Sequence, residues 1–515
     1  MNALLRLYLV VSLGVLSAGR ASDDEPFIHK VWAKGLRGDV YSFARSSWLD
    51  RTGDFFVLIE TTLGPSLFKF SGINGRPVWQ QPLGFIRDRR FTFCAVSVDA
   101  NGNAFCVVAS NSPSQDTIVC LSPDRDLIWS RRFPKRARGI AVDHQGDVIV
   151  TGGLTIKYSG KDGAVLWRRE NSAEFDFTAV VADQADDIML GGVDSAIYVE
   201  KCSGVNGKSI WSRAHTQVPF QEPSGGITAL VTDRARNVVV LATIGTNDKS
   251  TLFSRLTRYS PSGDVLWERN DRDHYSDLSA EICLDSRGDV IITDSSFRLS
   301  KYLASDGSLK WQKDLGSSRY FFGSPGLAVD ENDDIITATV GAAPVLDYAY
   351  HLFYVTKFEG TEGALRWKQP FRHGKYRFGP TASFRLGPGY VIATGNDPGS
   401  AGLSVSSTKY ASGPTPRTLE PEVQDGENAV LVAEVNPNGF KSNALFLYGS
   451  DSELRSPSST PPTAIGTGIL PVPVSARISG LLPGITYYYR AVGISIQGET
   501  VRGEVRSFRT DGSPP

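Results

Sequence analysis

The chain is sparing with the residues that most often carry chemistry. Its 515 residues include 5 Cys, 2 Met and 6 His. Cys94, Cys106, Cys120, Cys202 and Cys283 form no CxxC pair, which excludes a zinc ribbon. Their odd number leaves at least one thiol free. Cys106 and Cys120 lie on neighbouring predicted strands, so a disulfide there competes with a reading as small buried thiols. No two His residues stand at i, i+4 or in H-x-H spacing, and neither G-x-S-x-G nor a phosphate-binding glycine loop occurs. Beyond residue 21 no run approaches 18 uninterrupted apolar residues, which excludes a helical membrane span there.

Excess charge of one sign is also missing. The first 21 residues read as an export signal: Arg6, the apolar run LYLVVSLGVLSA (7–18), then small Gly19 and Ala21 placed for cleavage. No Cys follows the cleavage point, which argues against lipid modification. The mature chain then holds 52 basic against 55 acidic residues, a net of −3, unlike a dedicated nucleic-acid binder. The expected location is secreted, periplasmic or cell-surface, in a bacterial setting.

What the chain has in abundance is a repeat. KYSGKDGAVLW (157–167) returns as KFSGINGRPVW (69–79), RYSPSGDVLW (258–267), KYLASDGSLKW (301–311) and KFEGTEGALRW (357–367). A second string precedes each copy: IAVDHQGDVIVTGG (140–153) has relatives such as VVADQADDIMLGG (180–192) and ICLDSRGDVIITD (282–294). Each string is a hairpin, two β-rich runs around an Asp/Gly/Asn turn. Two hairpins make a four-stranded unit, and units recurring every 40 to 52 residues are the mark of propeller blades. Trp32, Trp79, Trp129, Trp167, Trp211, Trp267, Trp311 and Trp367 end the second hairpins. The eighth copy, at Lys409-Tyr410, stops without its Trp, while KVW (30–32) stands unpaired near the start. The expected fold is therefore all-β: an eight-bladed β-propeller of four-stranded blades over 28–411, closed by an N-terminal strand. The Trp set is expected in the seams between blades, with each indole N–H on a carbonyl. The Lys or Arg before the aromatic is expected along the blade with its head in water.

The G-x-x-x-W endings resemble the PQQ-like, quinoprotein-type propeller repeats. The V-D-x-x-G-D-V-I-V-T-G strings look like the related bacterial repeat of exported proteins. The resemblance implies a fold and leaves function open. PQQ-dependent dehydrogenases of this fold use adjacent Cys, a stacking Trp and carboxylates on calcium. This chain has no adjacent Cys pair and none of those residues can be placed by motif, so no cofactor, metal or catalytic residue is assigned. Asp330-Glu331-Asn332-Asp333-Asp334 and Asp99-x-Asn101-Gly102-Asn103 faintly echo calcium loops, but sit at the shared turn and lack a distal Glu.

Residues 412–427 read as a Pro- and acid-rich linker, and 428–511 as a β-sandwich. LLPGITYYYRAV (481–492) resembles the fibronectin type III pattern, which implies a tyrosine corner at Tyr487. Between blades, the segments 368–380, 33–38, 80–92 and 130–139 together carry +13 and would be neighbours around the ring. Arg131, Arg132, Lys135, Arg136, Arg138, Arg372, Lys375 and Arg377 form a candidate anion-binding face there. The function expected is an exported, non-enzymatic binding or scaffold protein engaging a protein or an acidic polysaccharide. The alternatives are a factor like the eight-bladed periplasmic lipoprotein of envelope assembly, and a PQQ-like propeller enzyme with an unrecognised site.

Overall fold

A computed structural model describes residues 29–511 apart from 38–42, 51–52, 62–63, 84–93, 100, 109–115, 172–175, 194–195, 216–225, 246–251, 272–279, 294–297, 317–325, 331, 342–349, 376–381, 388, 400–401, 424–425 and 497. The expected signal segment and Arg377 lie outside the described residues. Every regular element among the described residues is a strand.

The local rule shows most simply in residues 137–170. Ala137–Val142 and Val148–Gly152 pair around a turn that Asp143 holds. Its carboxylate accepts the backbone N–H groups of Gln145 and Asp147 at 3.0 and 2.9 Å, while Gly146 takes φ 84°. Leu154–Tyr158 and Val165–Glu170 form the second hairpin, with a bulge after Lys157 that sets Lys157 opposite Trp167. Val148–Gly152 and Leu154–Tyr158 are buried throughout, as strands covered on both faces must be.

Seven such antiparallel four-stranded sheets occupy 43–82, 94–133, 137–170, 177–215, 226–271, 281–314 and 327–375. An eighth combines Ala382–Gly387, Tyr390–Gly399 and Gly402–Ala411 with the amino-terminal strand His29–Arg37. These are called units one to eight below. The first strand of each touches the first strand of the next, and Ala382–Gly387 of unit eight touches Phe43–Leu49 of unit one, so the contacts run in a closed cycle. His29–Arg37 pairs with Gly402–Ala411 so that Trp32 faces Lys409. That is the same lysine–tryptophan register that Lys157 and Trp167 keep inside unit three. The amino-terminal KVW thus fills the outermost place that the last repeat leaves vacant.

The carboxy-terminal residues form two further antiparallel sheets. One joins Thr415–Thr418, Glu422–Val423, Asn428–Asn436 and Val472–Ser479; the other is centred on Ser442–Gly449 and Thr486–Ser495. Their inner faces share one core, including Leu431, Phe446, Ile478, Tyr489 and Phe508. The expected linker 412–427 is therefore in part structured. Thr415–Thr418 and Glu422–Val423 pair with Asn428–Asn436, and Arg506 Nε donates to the Thr418 carbonyl at 2.9 Å. Phe440 of this module packs into the cluster of Phe55, Phe70, Tyr390 and Ile392, which ties it to units one and eight.

Cys106 and Cys120 are both free and buried. Phe105, not Cys106, faces Cys120 across the ladder, so the two thiols point to opposite faces of the sheet. Cys106 belongs to the core shared with unit one and Cys120 to the core shared with unit three.

Candidate functional site

The tryptophans build the seams. The indole N–H groups of Trp79, Trp129, Trp167, Trp211 and Trp267 donate to carbonyls of Pro123, Gly160, Gly204, Pro261 and Ala304, all in the following unit, at 2.8–2.9 Å. The glycine of the G-x-x-x-W string explains itself here. Gly207 takes φ +69° in the turn of unit four, and a Cβ on it would come within 2.7 Å of the Trp167 ring of unit three. Gly163 under Trp129, Gly263 under Trp211 and Gly307 under Trp267 repeat the contact. Of Trp32, the structure describes only the backbone register. Trp79 and Trp311 are half-buried, and the other five are buried.

The basic residue opposite each Trp corrects the expectation of a head in water. Lys69, Lys157, Lys201, Arg258, Lys301, Lys357 and Lys409 are all buried. Six of them end on the Asp of their own first hairpin: Lys157 on Asp143 at 2.6 Å, Lys201 on Asp183 at 2.6 Å, Lys301 on Asp285 at 2.7 Å and Lys357 on Asp330 at 2.7 Å. Lys69 reaches Asp50 at 3.2 Å, and Arg258 binds Asp233. Four reach on into the next unit, Lys157 to the Gly204 carbonyl, Arg258 to Gly288, Lys301 to Gly360 and Lys409 to Gly72. Burial works against the charged Lys357, yet Asp330 and Asp334 outweigh it and hold its ammonium above the ordinary lysine value. The Asp/Lys and Asp/Arg clusters are therefore internal ion pairs that join the two hairpins of six units, and in units three, five and six the same cation also reaches the neighbouring unit. Among the described residues no group of His, Cys, Asp and Glu is arranged to hold a metal ion. In unit two, Cys120 takes the lysine place, and Asn103 Nδ2 instead donates to Asp99 at 2.8 Å. Burial first, then Asp99, pushes the Cys120 thiol up to about 12, so it stays an inert thiol.

The candidate anion-binding residues separate into two groups. Arg131 turns back to the following unit and donates to the Gly163 and Asp162 carbonyls at 2.8 Å. Lys135 pairs with Glu170 at 3.0 Å, and Arg138 approaches Asp176 at 3.7 Å. Arg132 and Arg136 are exposed. Arg372 and Lys375 lie on the strand Leu365–Lys375, whose pairing alone is described there. The Tyr487 hydroxyl accepts the Leu482 backbone N–H at 3.0 Å, and the neighbouring Tyr489 hydroxyl donates to the Leu419 carbonyl.

Two features escaped sequence reasoning. Large apolar side chains stand exposed immediately before the seam tryptophans: Leu127 and Ile128, Val165 and Leu166, Val265 and Leu266, and Leu365, from 41% exposed at Ile128 to 62% at Leu127. They sit at the start of the outermost strands, so they recur around the rim. The signal was present in the strings themselves, which carry two apolar residues where one suffices for a buried ring. The second feature is a cavity of about 540 Å³ between unit seven and the carboxy-terminal module, lined by Trp367, Ser412, Glu499 and Arg502. Burial lifts the Glu499 carboxyl above the ordinary range; Lys357 pulls it down and Asp330 and Asp334 push it up.

No family model matches the sequence, and neither does any curated protein. Solved structures are similar in arrangement. BamB from Moraxella catarrhalis is 13% identical over 74% of this chain and 97% of its own, with a TM-score of 0.44. The C-terminal WD40 domain of Sif2 is 11% identical over 74% of this chain and 98% of its own, with a TM-score of 0.47. The β-propeller domain of Cps50 (Swd1) from Myceliophteria thermophila is 10% identical over 73% and 98%, with a TM-score of 0.40. These likenesses concern the fold alone. No helix among the described residues is long and apolar enough to cross a membrane.

Proposed function

We propose that this chain is an exported, non-enzymatic scaffold: an eight-bladed propeller closed by its amino-terminal strand, carrying a fibronectin type III-like sandwich, and docking a protein partner. The observation that carries the reading is the rim. Leu127, Ile128, Val165, Leu166, Val265 and Leu266 expose apolar surface at equivalent places on a rigid frame. Recurrent exposed apolar surface on such a frame marks a contact with another macromolecule. The buried lysine–aspartate pairs support it as well, since they consume as structure the titratable groups that an enzyme would bring into a cleft. The PQQ-like character of the repeat draws support from the glycine–tryptophan contacts, and the fibronectin type III reading from the Tyr487 hydroxyl bond.

A second reading, an anionic glycan or acidic protein on the basic segment, is favoured by exposed Arg132 and Arg136. Lys135 and Arg138, already beside carboxylates, weaken it. Photo-crosslinking amino acids at positions 127, 166 and 266, and separately at 132 and 136, in the producing cell separate the two. Discrete protein adducts from the rim positions are expected. Adducts confined to 132 and 136 would transfer the function to the basic segment, and none from either set would end the scaffold reading.

A further inference from the structure

The seam between units seven and eight lacks the second-hairpin turn that the following unit supplies at the earlier seams. In five of the six earlier seams the indole N–H ends on a carbonyl in the turn of the next unit, while at the sixth the buried Trp311 Nε1 has no hydrogen-bond partner among the described residues although unit seven has its turn. Unit eight has no such turn, because its third strand runs through Tyr410 and Ala411 to Ser412 and leaves for the carboxy-terminal module. Trp367 is 8% exposed, and its Nε1 is buried with no hydrogen-bond partner among the described residues. Ser412, in the place where the accepting carbonyl would stand, lines the same cavity as Trp367. The ring that carries the orphaned donor therefore lines that space.

The cavity measures about 540 Å³ and a smaller one of about 240 Å³ adjoins it, sharing Trp367, Lys357, Ser412 and Glu499. A volume of several hundred cubic ångströms is that of a small-ligand site. Three acidic and three basic residues line the larger space: Asp334, Glu359 and Glu499 against Lys357, Arg366 and Arg502. Lys357 and Asp334 already pair at 3.0 Å. An anion would meet carboxylates across the site. A cation would leave the indole donor unsatisfied. A hydroxyl suits both needs, accepting from the indole or a guanidinium and donating to a carboxylate.

We propose that this cavity is a binding site for a small neutral polyol, a monosaccharide unit or cyclic polyol, whose hydroxyl accepts the Trp367 N–H while another donates to Glu499. The ligand bridges unit seven and the Ser495–Arg502 region, so its binding fixes the carboxy-terminal module to the ring. This site is separate from the rim, and either can fail without the other.

The test is calorimetric titration of the full chain with methyl α-glucopyranoside, methyl α-galactopyranoside and myo-inositol, with glucuronate and glucosamine as charged controls. Millimolar binding of at least one neutral probe is expected. Trp367→Phe keeps the ring and removes the donor; it is expected to weaken binding about tenfold, as the loss of one buried hydrogen bond does. Trp167→Phe, in a seam that has its carbonyl, leaves binding unchanged. Arg502→Ala, at an exposed position, reads the same loss if the ring substitution impairs folding. No binding of any neutral probe, tighter binding of a charged control, or unchanged binding in both Trp367→Phe and Arg502→Ala overturns the proposal.

Discussion

Units six and eight place a lysine in the same register, Lys301 opposite Trp311 and Lys409 opposite Trp32, and house it in opposite ways. Lys301 is 0% exposed and binds Asp285 and the Gly360 carbonyl, both at 2.7 Å. Lys409 is also buried, at 4% exposed, but the turn of the first hairpin of its unit, FRLGPGY, brings no Asp. It donates to the Gly72 carbonyl at 3.0 Å and lies 3.9 Å from the centre of the Tyr390 ring. The lysine thus keeps one of the two partners that Lys301 has, the carbonyl of the next unit, after its acid is gone. In unit eight that carbonyl belongs to unit one, so Lys409 stitches the seam where the cycle closes. An aromatic face replaces the carboxylates.

The sharpest way to break this comparison is to remove each lysine in turn. Lys301→Met leaves Asp285 buried beside no cation and is expected to cost about 3–5 kcal/mol, read as a fall in urea midpoint. Lys409→Met removes a lone buried charge from an apolar and aromatic site. It is expected to gain about 1–2 kcal/mol net of the lost Gly72 bond. Equal destabilisation in the two variants would sink the distinction.

The same contrast has a pH signature. Burial drives the Lys409 ammonium from 10.5 down to about 8. Below pH 8 the lysine is charged in both the folded and the unfolded chain, and the folded chain carries the whole desolvation penalty. As pH rises from about 8 towards 10.5 the folded form sheds its proton first, so this group contributes rising stability across that window. Urea midpoints measured across it are expected to climb less steeply in Lys409→Met than in the wild type.

The smallest effect separates the seams. Trp167→Phe forfeits the bond to Gly204 and is expected to cost about 1 kcal/mol beyond its packing loss. Trp367→Phe removes a donor that has no partner and is expected to lack that increment in the same denaturation assay. An equal hydrogen-bond increment at both sites would show that the seventh seam is complete after all.

The sequence allowed the hairpins to be read because turn chemistry is local: Asp143 and Gly146 act within a few residues. The strand that completes unit eight was legible because a missing Trp and a surplus KVW complement each other. The lysine clusters were not legible. Their burial depends on the first hairpin of a unit folding its Asp onto the second, and one-dimensional patterning carries no sign of that contact. Parity defeated the Cys106–Cys120 pairing, since a one-residue difference in register reverses the face. The strand Thr415–Thr418 inside the expected linker was not legible because it gains its structure from Asn428–Asn436. Of the basic segment, the sequence held the charge but not the neighbours Glu170, at the end of the outermost strand of unit three, and Asp176, just before the first strand of unit four.

The amino-terminal strand also imposes a schedule on synthesis. Residues 29–37 are made about 360 residues ahead of their ladder partner among the described residues, residues 402–411. During elongation the early segment must wait as an unmatched ribbon while the intervening sheets take shape behind it. Such long-range pairing is slow to find and costly in chain entropy. Closure of unit eight therefore has to await synthesis of residue 411, and the carboxy-terminal module, whose first strand begins at Thr415, follows that strand directly in the chain.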